Sequence, residues 1–130
     1  MPDATIIRIR RVYEKPSRGE GYRILVDRLW PRGMKKSELA FDAWEKDLAP
    51  SDALRRSFGH DPAAWPQFRS GYLKELRSDP AREKMRSIAE KARKGNVTLL
   101  YSARDEEHNN AVVLRDLLQR KLGDRGKHGA

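Results

Sequence analysis

The alternation of apolar and polar positions is most informative near the C-terminal end of the chain. Residues 97–101, Val-Thr-Leu-Leu-Tyr, are mainly apolar at both odd and even positions, as in an interior strand of a parallel sheet that is buried on both faces. The polar run 102–110 comes next, and apolar residues then recur with the period of a helix, at Ala111, Leu114, Leu118 and Leu122. Strand, polar loop and helix in this order predict a ligand crevice at the carboxyl edge of an open sheet.

Three further segments have the pattern of strands. Residues 6–12 alternate apolar and basic side chains, as a half-exposed strand does, and residues 22–27 have an apolar centre. Residues 41–48 are ambiguous, because Phe41, Trp44 and Leu48 fit a helix while the even-numbered positions fit one face of a strand. We favour the strand. The four segments together predict one mostly parallel sheet.

Capping residues delimit two helices in the middle of the chain. Ser37 can cap a short helix that ends at Ala40. Ser51 can cap a second helix that ends at Phe58, with Gly59 at the position where a left-handed residue closes a helix.

Proline residues mark the next helices along the chain. Asp61-Pro62 has the form of a helix start, and Pro66 either kinks this helix or marks its true beginning. Asp79-Pro80 opens a third helix, and the last helix should stop near Leu122. We therefore predict a single three-layer α/β domain at residues 1–122, with helices on both faces of the sheet, and a flexible C-terminal tail at residues 123–130.

The composition limits the location and chemistry of the protein. The 130 residues include no cysteine, so disulfides and thiolate metal sites are excluded and a reducing cytosol is compatible. The N-terminus has no apolar signal region, and no apolar run reaches the roughly 18 residues of a membrane span. We expect a cytoplasmic protein with no membrane partner.

The formal net charge of +9 is concentrated toward the two ends of the chain. The clusters Arg8-Arg10-Arg11 and Lys91-Arg93-Lys94 could attract a phosphate-rich partner such as nucleic acid. The alternative is that the charge serves solubility alone, and the sequence leaves both open.

The polar loop after residue 101 holds the first group of candidate site residues. His108 beside Asp105 can take part in proton transfer, because the ordinary pKa of histidine, about 6.5, is close to neutral pH. Ser102 and Asn109 are candidate ligand contacts in the same loop, and Tyr101 is a candidate wall. The structural alternative is that Asp105 caps the following helix, with Glu106 and Glu107 complementing its dipole.

The segment after residue 27 provides a second wall for the predicted crevice. Arg28 and Arg32 suit recognition of a carboxylate or phosphate, and Trp30 can stack on a base or sugar. The alternative is that these arginines pair with the acids of residues 105–107 while Trp30 fills the core.

Signals for metals and cofactors are weak. Ser51 and Asp61 are sufficiently explained as caps, and a zinc site would need His60, His108 and a carboxylate to converge, at spacings that match no ligand motif. Hydrolase, P-loop and dinucleotide-binding motifs are absent from the sequence. We predict no metal, and the cofactor and oligomeric state are left open.

Four long motifs carry a resemblance to a known family. They are residues 22–33, YRILVDRLWPRG; residues 44–51, WEKDLAPS; residues 58–61, FGHD; and residues 100–111, LYSARDEEHNNA. In this order they resemble the short, YeaO-like branch of the DUF488 family, a domain of unknown function. The resemblance runs from about Ile7 to Leu118, and Pro66 and Ser102 depart slightly from the pattern.

The resemblance implies a single α/β domain of bacteria and archaea. Longer relatives have a Cys-His-Arg sequence where this chain has Glu107-His108-Asn109. On that alignment the branch keeps the histidine and lacks the thiol, so a shared mechanism would have to rest on His108 or on the geometry of a bound ligand.

These observations predict a site between residues 28–33 and 102–110. Because two arginines face three acids there, we expect a zwitterionic, sugar-like or nucleoside-like small molecule rather than a bare polyphosphate. Catalysis by His108 and Asp105 is one hypothesis for this site. The alternative function is a nucleic-acid-binding module that uses the basic surface without catalysis.

Overall fold

A computed structural model describes the backbone of residues 7–128 and the side chains of residues 7–123. Its sheet has four strands: β1 (Ile7–Arg11), β2 (Tyr22–Leu25), β3 (Ala43–Trp44) and β4 (Val97–Tyr101). Their order is β1-β4-β2-β3 and every neighbouring pair is parallel. All residues of β4 are buried, which confirms the predicted interior strand.

Four α-helices complete the α/β domain: α1 (Asp52–Phe58), α2 (Trp65–Glu75), α3 (Asp79–Lys94) and α4 (Asn110–His128). Side chains from all four join one apolar core with Ile24 and Leu99, which face one side of the sheet. None of the helices in the described part of the chain is long and apolar enough to cross a bilayer.

The other face of the sheet has a different cover. Leu25 and Leu100 pack there against the segment 28–44, whose Trp30 ring meets Phe41 and Trp44 edge-on at centroid distances of 5.6 and 5.5 Å. The α-helices therefore occupy one face only, and the third layer is a non-helical aromatic segment. The expectation of helices on both faces is corrected, because these aromatic rings cover the second face without a helix.

Of two elements predicted in this segment, one is absent and the other is shorter than expected. Residues 36–38 form a turn rather than a helix, since the Glu38 carboxylate accepts the Lys35 N–H at 2.8 Å while the Glu38 N–H donates to the Lys35 carbonyl. The strand predicted at 41–48 is reduced to Ala43–Trp44, because the chain turns into a 3₁₀ helix at Lys46–Leu48.

The capping signals of α1 and α2 agree with the structure. The Ser51 side chain accepts the Leu54 N–H, and Gly59 closes α1 in the left-handed conformation. Asp61 caps a 3₁₀ turn, Pro62–Ala64, and α2 then begins at Trp65. Pro66 is thus in the first turn, where its missing N–H removes no helical hydrogen bond.

The last helix continues beyond Leu122, at which the sequence predicted its end, as far as His128. The two glycines in this region therefore did not stop it. Residues 129–130 and the predicted first strand position, residue 6, lie outside the described residues. The flexible tail at residues 123–130 stays a prediction.

Gly21 should be essential to the start of β2. Its φ of +67° is left-handed, and an added Cβ would lie 2.1 Å from the backbone oxygen of Asn96, which also accepts the Tyr22 N–H. Gly21→Ala should lower the free energy of unfolding by about 3 kcal/mol or more, through backbone strain and this clash.

Gly33→Ala is the matched control, because Gly33 also has a positive φ, +77°, but no atom lies within 4 Å of an added Cβ. Chemical denaturation of both variants should show a loss of about 1 kcal/mol for Gly33→Ala. Equal losses would contradict the role given to the contact with Asn96.

Candidate functional site

A cleft of about 640 Å³ lies at the carboxyl edge of the sheet. Its walls are the segments that come after β2 and β4, the start of α4, and α1 with the loop after it. The two predicted walls, residues 28–33 and 102–110, both contribute to it, so the structure brings Arg28, Arg32 and His108 into one cleft.

Asp27, just after β2, is half-buried and lines this cleft. Its Oδ2 accepts the Ser102 N–H at 2.9 Å and the Ser102 hydroxyl at 2.7 Å, while its Oδ1 accepts the Asn110 side-chain amide at 3.1 Å. Burial raises the pKa of Asp27, and these hydrogen bonds oppose the rise. Asp27 was not among the predicted site residues, although its position at the end of an apolar strand next to β4 was a signal for it.

His108 and Asp105 form a hydrogen-bonded pair. The Nδ1 atom of His108 lies 2.9 Å from Asp105 Oδ2, and Asp105 Oδ1 accepts the backbone N–H groups of Glu107 and His108. The hydrogen bond from the Glu107 N–H, with that from the His108 ring, holds the pKa of Asp105 below its ordinary value. The imidazole packs edge-on against Trp65 at 5.2 Å, and its Nε2 has no hydrogen-bond partner within the described residues.

Asn109, and not Asp105, caps helix α4. The Asn109 Oδ1 accepts the Val112 N–H at 3.0 Å, and its amide donates to the Asp105 carbonyl. Asp105 instead organises the turn before the helix. Glu106 and Glu107 are exposed and precede the helix, so the first turn of α4 contains no acid. The expectation that Glu106 and Glu107 complement the dipole of this helix is therefore corrected.

The predicted pairing of arginines with the acids of the polar loop does not occur. Arg28 donates from Nε to the Pro50 carbonyl at 3.1 Å, and Arg32 is exposed at the rim. Neither has an ion pair with residues 105–107 in the described part of the chain. Trp30 lines the cleft with part of its surface and packs in the aromatic layer with the rest.

Asp105 borders the cleft only through its hydrogen bond with His108, and the other predicted site residue outside the lining is Tyr101. It is 2% exposed and packs in the core under the helices. The alternation of β4 points residues 97, 99 and 101 to the helix-covered face, whereas Ser102, just beyond the strand, lines the cleft.

The charge of the cleft differs from the expected balance. Arg55 and Arg56, in the last turn of α1, line it together with Arg28 and Arg32, and its acids are Asp27 and Asp52. Asp52 pairs with Arg55 at 2.7 Å. The acids of residues 105–107 do not line the cleft, so the lining is net positive. No local pattern in the chain indicated that the end of α1 returns to this edge.

Two histidines line the cleft, but no metal centre is formed by the described residues. His60 comes after Gly59 and itself has a positive φ of 59°, and it lines the wall with Phe58. No group of three histidine, aspartate or glutamate side chains within the described part of the chain could hold a metal ion.

The fold and the site define an open, parallel α/β domain with a basic cleft at the carboxyl edge of its sheet. The chain belongs to the DUF488 family: residues 6–130 match the family model described as the inactive DUF488-N3 subclade. The uncharacterised protein YeaO of Escherichia coli K12 is 45% identical over 113 residues, which cover 87% of this chain and 96% of YeaO.

The uncharacterised protein Rv3073c of Mycobacterium tuberculosis H37Rv is 36% identical over 114 residues, which cover 88% of this chain and 94% of that protein. No solved structure matches the chain. The matched regions cover nearly the full length of both YeaO and Rv3073c.

Asp27→Asn should destabilise the protein through its hydrogen bonds. An amide has one acceptor oxygen where the carboxylate has two, so donors from Ser102 or Asn110 lose their partner. We expect the free energy of unfolding to fall by about 2–3 kcal/mol. Asp52→Asn is the control, because its exposed ion pair with Arg55 should contribute less than about 1 kcal/mol. Urea denaturation that shows equal losses would contradict the central position of Asp27.

The cost of Asp27→Asn should also depend on pH. Because burial raises the pKa of Asp27 in the folded state, the folded protein binds this proton more tightly than the unfolded chain does. Wild type should therefore gain stability relative to Asp27→Asn as the pH falls through the raised folded pKa toward the unfolded value of about 3.9. The measurement is the difference in free energy of unfolding between wild type and Asp27→Asn, from denaturation curves at several pH values in this range. A difference that becomes smaller as the pH falls would contradict the prediction.

Proposed function

We propose that the cleft binds a small organic anion of the sugar-phosphate or nucleotide type, and that binding, rather than catalysis, is its function. The observation that carries the proposal is that four arginines line the cleft together with hydrogen-bonding side chains. The expected ligand was zwitterionic or neutral, and the net positive lining moves the preference to an anion.

The arginines are available to hold a phosphate or carboxylate. The bond from Arg28 Nε to Pro50 fixes that side chain and leaves its two terminal nitrogens without a partner in the described residues. Arg56 has no ion pair there either. Two nitrogens of one guanidinium suit bidentate recognition of an oxyanion. The start of α4, without an acid in its first turn, adds a favourable dipole.

The rest of the cleft suits the uncharged part of such a ligand. Asn110 and Ser102 supply polar groups beside Asp27, whose Oδ1 has only one donor and can accept another from a hydroxyl or amine. Phe58 and Trp30 contribute aromatic rings to the lining, and Leu29, which is 58% exposed, also lines the cleft. A sugar or base fits between these polar and apolar surfaces.

Catalysis by His108 and Asp105 stays a prediction. The pair has the form of a general base with its orienting acid. However, the chain has no cysteine that could act as a nucleophile, and the family model that it matches is described as inactive. The pair also has a sufficient structural role, because Asp105 organises the turn before α4 while His108 packs on Trp65.

A matched panel of ligands tests the proposal by isothermal titration calorimetry and thermal shift. Adenosine monophosphate and ribose 5-phosphate should bind and stabilise the protein, by about 2.7 kcal/mol at a hundredfold excess over Kd. Adenosine and ribose should bind much more weakly, because they lack the anion. Inorganic phosphate alone should bind with intermediate affinity. If no phosphorylated compound binds, the proposal is wrong.

Alanine variants of two arginines, one in the cleft and one outside it, test where the ligand binds. Arg56→Ala should weaken binding of adenosine monophosphate about tenfold or more, since a hydrogen bond to a charged group contributes about 1.5–3 kcal/mol. Arg82→Ala, on the exposed surface of α3 outside the cleft, should leave it unchanged. His108→Ala should keep stability within about 1 kcal/mol if this half-exposed residue serves the ligand rather than the core. Equal weakening by Arg82→Ala would contradict the site.

A further inference from the structure

The edge of the sheet opposite the cleft brings together basic residues that are far apart in sequence. Strands β1, β2 and β4 begin there, at Ile7, Tyr22 and Val97, which are in register. Helix α3 also ends there, with two residues between it and β4, and the Ile7 N–H donates to the Gln119 side chain of α4 at 3.0 Å. We call this surface the amino edge, made of residues 7–8, 18–22, 90–97 and 119–123.

The contacts at this edge fix the segments against one another. The side chains of Arg8 and Asn96 both donate to the Gly19 carbonyl, at 3.3 and 2.7 Å. The Lys91 ammonium lies 4.8 Å from the centre of the Tyr22 ring. The loop at residues 18–22, the end of α3 and the start of β1 therefore form one continuous surface.

Positive charge dominates the amino edge. All its arginines and lysines are exposed: Arg8, Arg18, Lys91, Arg93, Lys94, Arg120 and Lys121. Its acids are Glu20, which is buried and paired with Arg10 and Arg23, and Glu90. The three cations in the last turn of α3 are explained because they complement the dipole of that helix. The dipole does not explain the other four: Arg8, Arg18, Arg120 and Lys121.

We propose that the amino edge binds the phosphate backbone of double-stranded nucleic acid, without reading its sequence. A surface with seven cations and one exposed acid is complementary to a dense row of phosphates. This function is separate from the ligand cleft, which lies at the other end of the strands.

The surroundings of the patch favour a duplex over other polyanions. Single strands are held by exposed aromatic rings on which bases stack, and membranes by apolar side chains that insert between lipids. In the described part of the chain, the exposed large apolar residues are Tyr13 and Leu29, and both lie just beyond the carboxyl ends of strands, away from the amino edge. The aromatic ring of the edge, Tyr22, is half-buried and lies under Lys91, so the edge offers charge without a fully exposed apolar anchor.

Fluorescence anisotropy with a short labelled duplex of mixed sequence tests the proposal. If about five phosphates are contacted, affinity should fall roughly 10²- to 10³-fold between about 50 and 200 mM salt. A single strand of the same length should bind more weakly than the duplex, and vesicles of anionic lipid should bind more weakly still.

The test variant removes three cations of the amino edge that have no partner within the described residues: Arg93→Gln, Lys94→Gln and Lys121→Gln. Loss of three phosphate contacts should reduce the slope of log affinity against log salt by about 2–3. The matched control removes the same charge elsewhere, with Lys35→Gln, Lys36→Gln and Arg82→Gln, and should change the slope by less than about 1. All six side chains are exposed, so both proteins should fold with unchanged circular dichroism.

Three results would overturn the proposal: no duplex binding at the low-salt end, equal effects of the two triple variants, or tighter binding to single strands or vesicles. Equal effects would assign the binding to net charge rather than to the edge. Arg56→Ala, in the cleft, should leave duplex affinity unchanged, so that failure of this proposal and failure of the ligand cleft can be told apart.

Discussion

The carboxylate of Asp27 is the interaction on which the arrangement of the carboxyl edge depends. It accepts hydrogen bonds from Ser102, just after β4, and from Asn110, at the start of α4. The backbone carbonyl of Asp27 accepts the Nε1–H of Trp44, in β3, at 2.7 Å. Three strands and a helix are thus tied to one residue. Burial makes the charge costly and raises the pKa of Asp27, and these hydrogen bonds offset only part of that cost. The same bonds hold both walls of the cleft in place before any ligand arrives.

The buried charge of Glu20 constrains the loop that leads into β2 at the amino edge. Glu20 accepts hydrogen bonds from Ser17 and lies 3.0 and 3.2 Å from the Nε atoms of Arg10 and Arg23. Burial alone would raise the pKa of Glu20, but the bonds from Ser17 and the two arginines lower it. The terminal nitrogens of Arg23 are buried without a hydrogen-bond partner among the described residues, so this cluster fixes the loop rather than maximising stability.

Features that depend on local pattern and on strand-end geometry were largely predictable from the sequence. The apolar run at 97–101 identified the interior strand, and the rule that parallel strands share a carboxyl edge brought Arg28 and His108 into one cleft. The position of Arg55 in the same cleft was not predictable, because the return of α1 depends on tertiary packing. Asp105 and Asn109 are both capable caps, and the start of α4 at Asn110 selects Asn109, which directly precedes the helix.

The cleft and the amino edge lie at opposite ends of the same strands, which determines how the two proposed functions can relate. A duplex on the amino edge cannot cover the cleft, so both sites can be occupied at once. Any coupling between them would have to pass along β2, β4 or helix α4, which begins at the cleft and reaches the amino edge. The residues of both strands are nearly all buried and held on both sides by hydrogen-bonded neighbours, and Leu114 and Leu118 of α4 are fully buried. A strand or helix packed in this way has no second arrangement to adopt, so it does not provide the two-state element that allostery requires. Independent binding at the two ends is therefore the physical expectation.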